Sequence, residues 1–448
     1  MALRTTTRTV AVLAGLLVIL VVSALIGTRS FFVAHARGDQ ASYVALAMKL
    51  DERGFDEYNL RRVDIHLING FAQYVYSEDE FGELLRLRRQ RGVAFYDEPL
   101  FHTPPLFPYL LLSAHRALAR ESPHQLLADE RTAAMRLGKG GTAQAQLTAC
   151  LMPLVAGLAL IVLTFALGSV MSGDVVGLLA AAVVAFSPAV LLAEQRVWAD
   201  TTLAALVALA VLLAWQYRRS RQVHWLLLAA IVLGLATLTK ITGAIAALPL
   251  LWCIYASGSR GPTWRRSLGL SALFGIAFLL VTGPWYEAVR RVYGSAFYNP
   301  QQEAIGVTHA YFAHLKTKAS YTYLLGLPYQ MPLFLAGYVG AMLGLRKSEW
   351  GGARSGLALW FVSFFAAMTG VTSTNPMLGP EQRYMLPAYA ALALLSADML
   401  RQMHQWGLRR YSAAAANIMA VVTIAVELAW AGWVAHQALL IDDVPTPF

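Results

Sequence analysis

The stretch PPLFPYLLLSAHRAL, Pro104 to Leu118, decides how the whole chain is laid out. It is apolar, but Pro108 interrupts it, and at about 15 residues it falls short of the roughly 20 that a helix needs to cross a hydrocarbon core. We read it as a helix lying in, or dipping into, the membrane interface. The choice fixes the side on which every later connection lies, so the charges of those connections test it.

Apolar runs follow at 142–168, 175–192, 200–217, 224–239, 242–257, 267–284, 325–345, 355–371, 384–400 and 413–437, and one precedes, Val10 to Gly27. Together they give about eleven transmembrane helices, each long enough to satisfy its own backbone hydrogen bonds. With Pro104 to Leu118 left out, one set of connections carries Arg218, Arg219 and Arg221, then Arg260, Arg265 and Arg266, then Arg346, Lys347 and Arg354, then Arg401, Arg409 and Arg410. Lys and Arg collect in cytoplasmic loops, so this set is cytoplasmic, with the N terminus inside and the C terminus outside. Were Pro104 to Leu118 a span, every basic loop after it would lie outside.

The composition agrees. The chain has 448 residues, 57% hydrophobic and 14% charged, against about 25% charged in ordinary soluble domains. A water-soluble fold is excluded, and the class is an all-α, polytopic membrane protein. The net charge of +10 is accounted for by cytoplasmic loops and does not call for nucleic acid. Cys150 and Cys253 both fall in apolar runs and read as packing residues, not as a disulfide or a zinc site. Ala34-His35-Ala36 has the small-x-small form of a signal-peptidase site. The run before it exceeds the usual apolar core of about 7 to 15 residues, so a retained first helix is expected.

The boundaries that follow are 1–27 for the first helix, 28–141 for a large first outer segment, and 142–284 for a helical bundle. A second outer segment, 285–324, covers the cavity, a second bundle spans 325–437, and 438–448 is an outer tail with no soluble domain expected beyond it. Within the first outer segment, Ser77-x-x-Glu80 reads as a capping box. The helix it opens has acids in its first turn and Arg86, Arg88, Arg89 and Arg91 in its last.

This topology gathers the polar groups nearest the apolar boundary on one side. Charge is costly there, so each one merits attention. Asp39 follows the first helix, and its residue type suits an N-cap for the segment carrying Tyr43 as well as a general base. His102 and Thr103 stand at the mouth of the Pro104-Pro105 helix. Arg196 and Asp200 lie one helical turn apart, a spacing that fits a local ion pair. Lys240 sits between two apolar runs, where a cation either snorkels or binds. Arg383, in Glu381-Gln382-Arg383-Tyr384, suits a phosphate, because its planar fork donates two hydrogen bonds to phosphoryl oxygens. One carboxylate with several cations at an interfacial cavity suits transfer from an anionic lipid donor.

These residues fall in ordered motifs: Gly38-Asp39-Gln40-Ala41-x-Tyr43, His102-x-Pro104-Pro105-Leu106, Ser187-Pro188 with Arg196-x-x-x-Asp200, Gly234-Leu235-Ala236-x-Leu238-x-Lys240, Gly283-Pro284-Trp285-Tyr286, and Glu381-x-Arg383-Tyr384-x-x-Pro387. In this order they resemble the GT-C superfamily of glycosyltransferases, specifically the dolichyl-phosphate-mannose protein mannosyltransferases and the bacterial aminoarabinose transferases. The resemblance implies transfer of a sugar from a polyprenyl-phosphate donor to a lipid, glycan or protein acceptor on the extracytoplasmic face of the plasma membrane, with inversion. It implies Asp39 as general base, Lys240 and Arg383 on the donor phosphate, and Arg196, Asp200, His102, Tyr43, Glu381 and Tyr384 around the pocket. The family commonly has Asp-Glu where this chain has Asp39-Gln40, and His directly before Pro-Pro where Thr103 intervenes here. Some relatives hold a divalent metal, for which this chain offers no ligand set of convincing spacing.

The outer segment from Tyr286 to Tyr323 is rich in Tyr and carries His309, His314, Lys316 and Lys318. Such aromatics either stack on sugars or anchor at the interface. Two other classes remain open from sequence. A transporter or flippase would show internal repeats and helices broken at mid-bilayer, and a non-catalytic assembly subunit would work without Asp39.

Overall fold

The structure, a computed structural model, describes residues 2–29, Tyr43, Ala47, Leu50, 65–68, 71–74, 103–118, 143–256, 264–293, 295–296, 322–346, 351–374 and 381–441. The small-x-small motif at 34–36, the charged helix expected after Ser77, the Tyr-rich stretch 297–321, Asp39 and His102 lie outside them.

The described chain is helical, and its elements match the apolar runs. The first is α1, Ala2–Arg29. The deciding stretch forms α2, Leu106–Leu118, whose 13 residues reach about 20 Å, too short for a bilayer core of roughly 30 Å. Next come α3, Ala143–Ser172, α4, Asp174–Ala185, and α5, Pro188–Glu194. They are followed by α6, Asp200–Ser220, α7, Val223–Thr239, a 3-10 turn, Ile241–Ala246, α8, Ala247–Tyr255, and α9, Trp264–Tyr293. The last are α10, residues 322–330, α11, Phe334–Gly344, α12, Ala353–Thr374, α13, Leu386–Arg410, and α14, Ala413–Ile441.

Among the described residues, five helices are long and apolar enough to cross a membrane, or six if α4 and α5, bent by 63°, form one span. Of the other apolar runs, two form the continuous helices α12 and α13, of 22 and 25 residues, and the rest are shorter helices or broken ones, Lys240 standing at one of the breaks. One element escaped the helical reading. Ile65–Ile68 and Phe71–Tyr74 pair as an antiparallel hairpin, Ile68 opposite Phe71. The two residues between are Asn69-Gly70, the strongest short-range signal for a two-residue turn, because both positions tolerate positive φ.

The centre of the bundle is α13, buried almost continuously from Leu386 to Asp398, with α6 beside it. Helices approach closely where glycines face one another. A Cβ on Gly168 of α3 would fall 2.8 Å from the backbone nitrogen of Gly177 in α4, so only small residues permit that crossing. The outer surface is apolar: Leu13 and Leu17 of α1, Leu279 and Leu280 of α9, and Val421, Val422 and Val426 of α14 are all exposed. Stripes of this length on several helices suit hydrocarbon as solvent.

One end of the bundle is tied by charge. Asp398 of α13 accepts hydrogen bonds from Arg354 of α12 at 2.8 Å, Arg401 at 2.5 Å and Gln402 at 2.8 Å. Arg401 also donates to the carbonyl of Ser172, at the end of α3. Nearby connections are held by Arg218, which lies 4.6 Å from the ring centres of both Trp215 and Trp252 and donates to the Gly351 carbonyl. These are the ends that the charge rule assigns to one side. The basic residues there fasten helices together.

Asp398→Ala removes the acceptor shared by two arginines, which are partly buried. The expected loss is on the order of 2 kcal/mol, between the values for exposed and buried pairs. An SDS unfolding titration of the purified protein measures it, with Arg409→Ala, which lies on the exposed end of the same helix, expected to change nothing.

Candidate active site

The opposite end of the bundle carries the polar residues singled out in the sequence. α5 is started by Pro188 at its first turn, where a missing N–H costs nothing. It ends at Glu194, and the chain then makes a tight turn, Trp198 donating its backbone N–H to the Arg196 carbonyl at 2.7 Å, before α6 begins at Asp200. The turn is buried throughout except at Trp198, which is half-buried.

α7 stops at Thr239, and Lys240 adopts an extended backbone, φ −156° and ψ 133°. Its N–H still closes on the Ala236 carbonyl, and its own carbonyl accepts from Gly243. Gly243 then passes so close to α7 that a Cβ would fall 2.7 Å from the Ala236 carbonyl carbon. The break swings the Lys240 side chain inward. Its Nζ lies 2.8 Å from Asp200 Oδ1 and 4.6 Å from the centre of the Tyr384 ring. Asp200, only 2% exposed, therefore pairs with Lys240 from another helix, not locally with Arg196. The lysine does not snorkel.

A 3-10 turn, Gln382–Met385, leads into α13 and supplies the second cation. The Arg383 guanidinium lies 4.2 Å from the Trp198 ring centre and 5.1 Å from that of Tyr384, donates to the Tyr384 hydroxyl at 3.4 Å, and pairs with Glu381. Tyr384 is thus shared by both cations. Between the two charged neighbours, Gln382 is buried and donates to the Thr322 carbonyl at 2.6 Å, fastening the turn to the start of α10.

Beneath the turn lies a separate apolar cluster. It joins Tyr43, Ala47 and Leu50 to Phe107 and Leu111 of α2, Val197 and Ala199 of the turn, Leu238 of α7 and Trp285 of α9. Tyr43 meets Phe107 edge to face at 4.9 Å. Four of the six sequence motifs thereby contribute to adjoining parts of one end of the bundle, the second leads into α2, which packs there, and the sixth supplies Arg383.

Of the candidate residues, Arg196, Asp200, Lys240, Glu381, Arg383 and Tyr384 come together here, and Tyr43 stands in the apolar cluster below. Asp39 and His102 lie outside the described residues. Trp198, Gln382 and the wholly buried Glu194 were not singled out in the sequence. A lone acid or tryptophan between apolar runs was the available signal. For a divalent metal, no group of three or more His, Cys, Asp or Glu converges among the described residues. The acids of this cluster, Asp200 and Glu381, are each engaged by a cation.

The Lys240–Asp200 pair is open to a double-mutant cycle. Lys240→Met leaves a buried carboxylate without its cation and is expected to cost about 3 kcal/mol. Adding Asp200→Asn should recover most of that. Chemical unfolding in detergent reads both, and strict additivity of the two changes would deny the pairing.

Residues 137–286 match the family model for dolichyl-phosphate-mannose-protein mannosyltransferase. Two solved structures of ArnT from Cupriavidus metallidurans are similar. The apo form has a TM-score of 0.52 at 17% identity, covering 90% of this chain and 62% of that one. The form bound to undecaprenyl phosphate has a TM-score of 0.51 at 16% identity, covering 87% and 61%. The archaeal oligosaccharyltransferase AglB from Archaeoglobus fulgidus, solved with an inhibitory peptide and a dolichol-phosphate, has a TM-score of 0.54 at 14% identity, covering 97% of this chain and 56% of that one. No curated protein sequence matches. The chain thus spans 62% of the ArnT structure's length and less of AglB's. With its family match and these likenesses, the chain has a membrane fold of the GT-C type and resembles the protein mannosyltransferases and ArnT.

Proposed function

We propose that the protein is a membrane-embedded glycosyltransferase, which moves a sugar from a polyprenyl-phosphate donor to a lipid, glycan or protein acceptor on the extracytoplasmic face of the plasma membrane. The observation that carries this reading is the pair of cations from different helices, Lys240 and Arg383, set against one tyrosine ring at the end of the bundle where the motifs meet. Relatives of the same fold bind undecaprenyl phosphate and dolichol-phosphate, which supports a lipid phosphate as the anion.

The chemistry follows from charge. A sugar phosphodiester carries one negative charge, and the polyprenyl phosphate that leaves carries more. Cations beside it therefore bind the departing group more strongly than the substrate, which is what accelerates the step. Lys240 serves as a compact charge and Arg383 as a planar fork. Asp39 takes the proton of the acceptor oxygen or nitrogen as it attacks the anomeric carbon from the face opposite the phosphate, so the product is inverted. Arg196, Asp200, Glu381, Tyr384, Tyr43 and His102 shape the sugar and phosphate pocket. Asp200 and Glu381 hold the two cations in place before the donor arrives.

Transfer of radiolabelled sugar from a panel of polyprenyl-phosphate sugars to a membrane extract tests the reading. Purified wild-type protein is expected to transfer from at least one donor. Asp39→Asn should lower kcat by about 10²- to 10⁴-fold, the range for loss of a general base. An equal rate for the two proteins would remove Asp39 from the mechanism, and no transfer from any donor by folded protein would favour a transporter or assembly subunit.

With the productive donor in hand, Arg383→Ala should lower kcat/KM by about 10²- to 10³-fold, as for loss of a charge-stabilising donor. Arg383→Lys should not restore it, because an ammonium cannot reproduce the fork stacked on Trp198 and Tyr384. Full activity in the lysine variant would reduce Arg383 to a point charge.

A further inference from the structure

Glu194 belongs to none of the motifs, yet it is the most deeply buried acid near the candidate site, with no exposed surface. A carboxylate in such a place is costly and persists only where the surroundings are built for it. Here they are. Ser23 of α1 donates its hydroxyl to Glu194 Oε2 at 3.4 Å. Gly157 of α3 makes room for the side chain, since a Cβ there would fall 2.6 Å from Glu194 Cδ, and Gly27 of α1 lies beside Oε2, a Cβ there falling 3.6 Å from it. The carboxylate is seated in a notch cut by two glycines, between the first helix and the third.

The position in the chain gives the notch its meaning. Glu194 immediately precedes the turn that carries Arg196, Trp198 and Asp200. α1, which receives it, ends at Arg29, and the chain continues from there to Asp39. We infer that Glu194 is a positioning residue: it registers the cation-bearing turn against the end of α1. This rests on the transferase reading for its consequence, but not for the contact itself.

Two readouts separate the tether from that reading. The first is structural. Spin labels on Thr28→Cys, at the end of α1, and Ile241→Cys, exposed beside Lys240, are placed in a background with Cys150 and Cys253 replaced by alanine. Their distance distribution is measured by pulsed EPR. Glu194→Gln keeps the shape and the bond to Ser23 and should leave the distribution as in the parent. Glu194→Ala should broaden or shift it. Should Glu194→Ala fail to fold, Gly157→Ala, which retains the acid but takes its seat, should broaden the distribution in the same way. An unchanged distribution in folded Glu194→Ala, or in Gly157→Ala where the first does not fold, overturns the inference.

The second readout is kinetic. With the productive donor, Glu194→Ala should lose about 10- to 100-fold in kcat with little change in donor KM, the scale expected when catalytic groups are displaced by an ångström or so. Glu194→Gln should restore most of it. A glutamine variant as slow as the alanine one would mean that the charge itself takes part, and overturns a purely positioning role. Absence of transfer in the parent protein would sink the transferase reading, while the distance measurement would still decide the tether.

Discussion

Hydrocarbon solvates neither an open backbone amide nor a bare charge. In this chain the consequence is visible in where its ion pairs stand. Asp398 with its two arginines occupies one end of the bundle, and Lys240 with Asp200 occupies the other. Between them α6 and α13 run apolar and closely packed. The helices are therefore fastened at both ends by charge and in the middle by small-residue contact. The groups left for chemistry are those at the ends.

The two ends use their charges differently. At the Asp398 end, three donors converge on one acid and a fourth bond reaches the backbone of α3, an arrangement that fastens three helices. At the other end, Lys240 meets Asp200 and the Tyr384 ring, and Arg383 meets Glu381 and the Trp198 and Tyr384 rings. Stacking holds a cation in place without occupying all its hydrogen-bonding capacity. In the proposed reading, an arriving anion exchanges with the existing partner, and the side chain need not be reorganised from solution.

Much of the architecture was legible in the sequence because length and apolarity are the terms a bilayer reads. The 15-residue stretch at Pro104 was too short to span, and α2 proved shorter still. What hydropathy could not give is where a run bends. The 63° turn between α4 and α5 falls just before Pro188, and the extended backbone at Lys240 is one residue long, so the effect of either on a mean over a window is small. The hairpin at Ile65–Tyr74 was missed for the opposite reason. Its Asn69-Gly70 signal is local and strong, but it lies in a polar stretch where neither flanking strand is longer than four residues.

The site was legible as a set of positions and not as a set of partners. One-turn spacing suggested that Arg196 would pair with Asp200, because sequence distance is all that a sequence offers. Lys240 is forty residues from Asp200, and only the packing of α7 against α6 brings them within hydrogen-bond reach. Glu194 illustrates the limit from the other side. In sequence, an acid shortly before Arg196 and Asp200 looks like part of the same polar connection. Its burial depends on Gly27 and Gly157, which lie on two other helices and carry no chemistry of their own. An acid that needs two distant glycines to exist where it does is specified by the fold as a whole. That is why its role, unlike that of Arg383, could not be read from the residues around it.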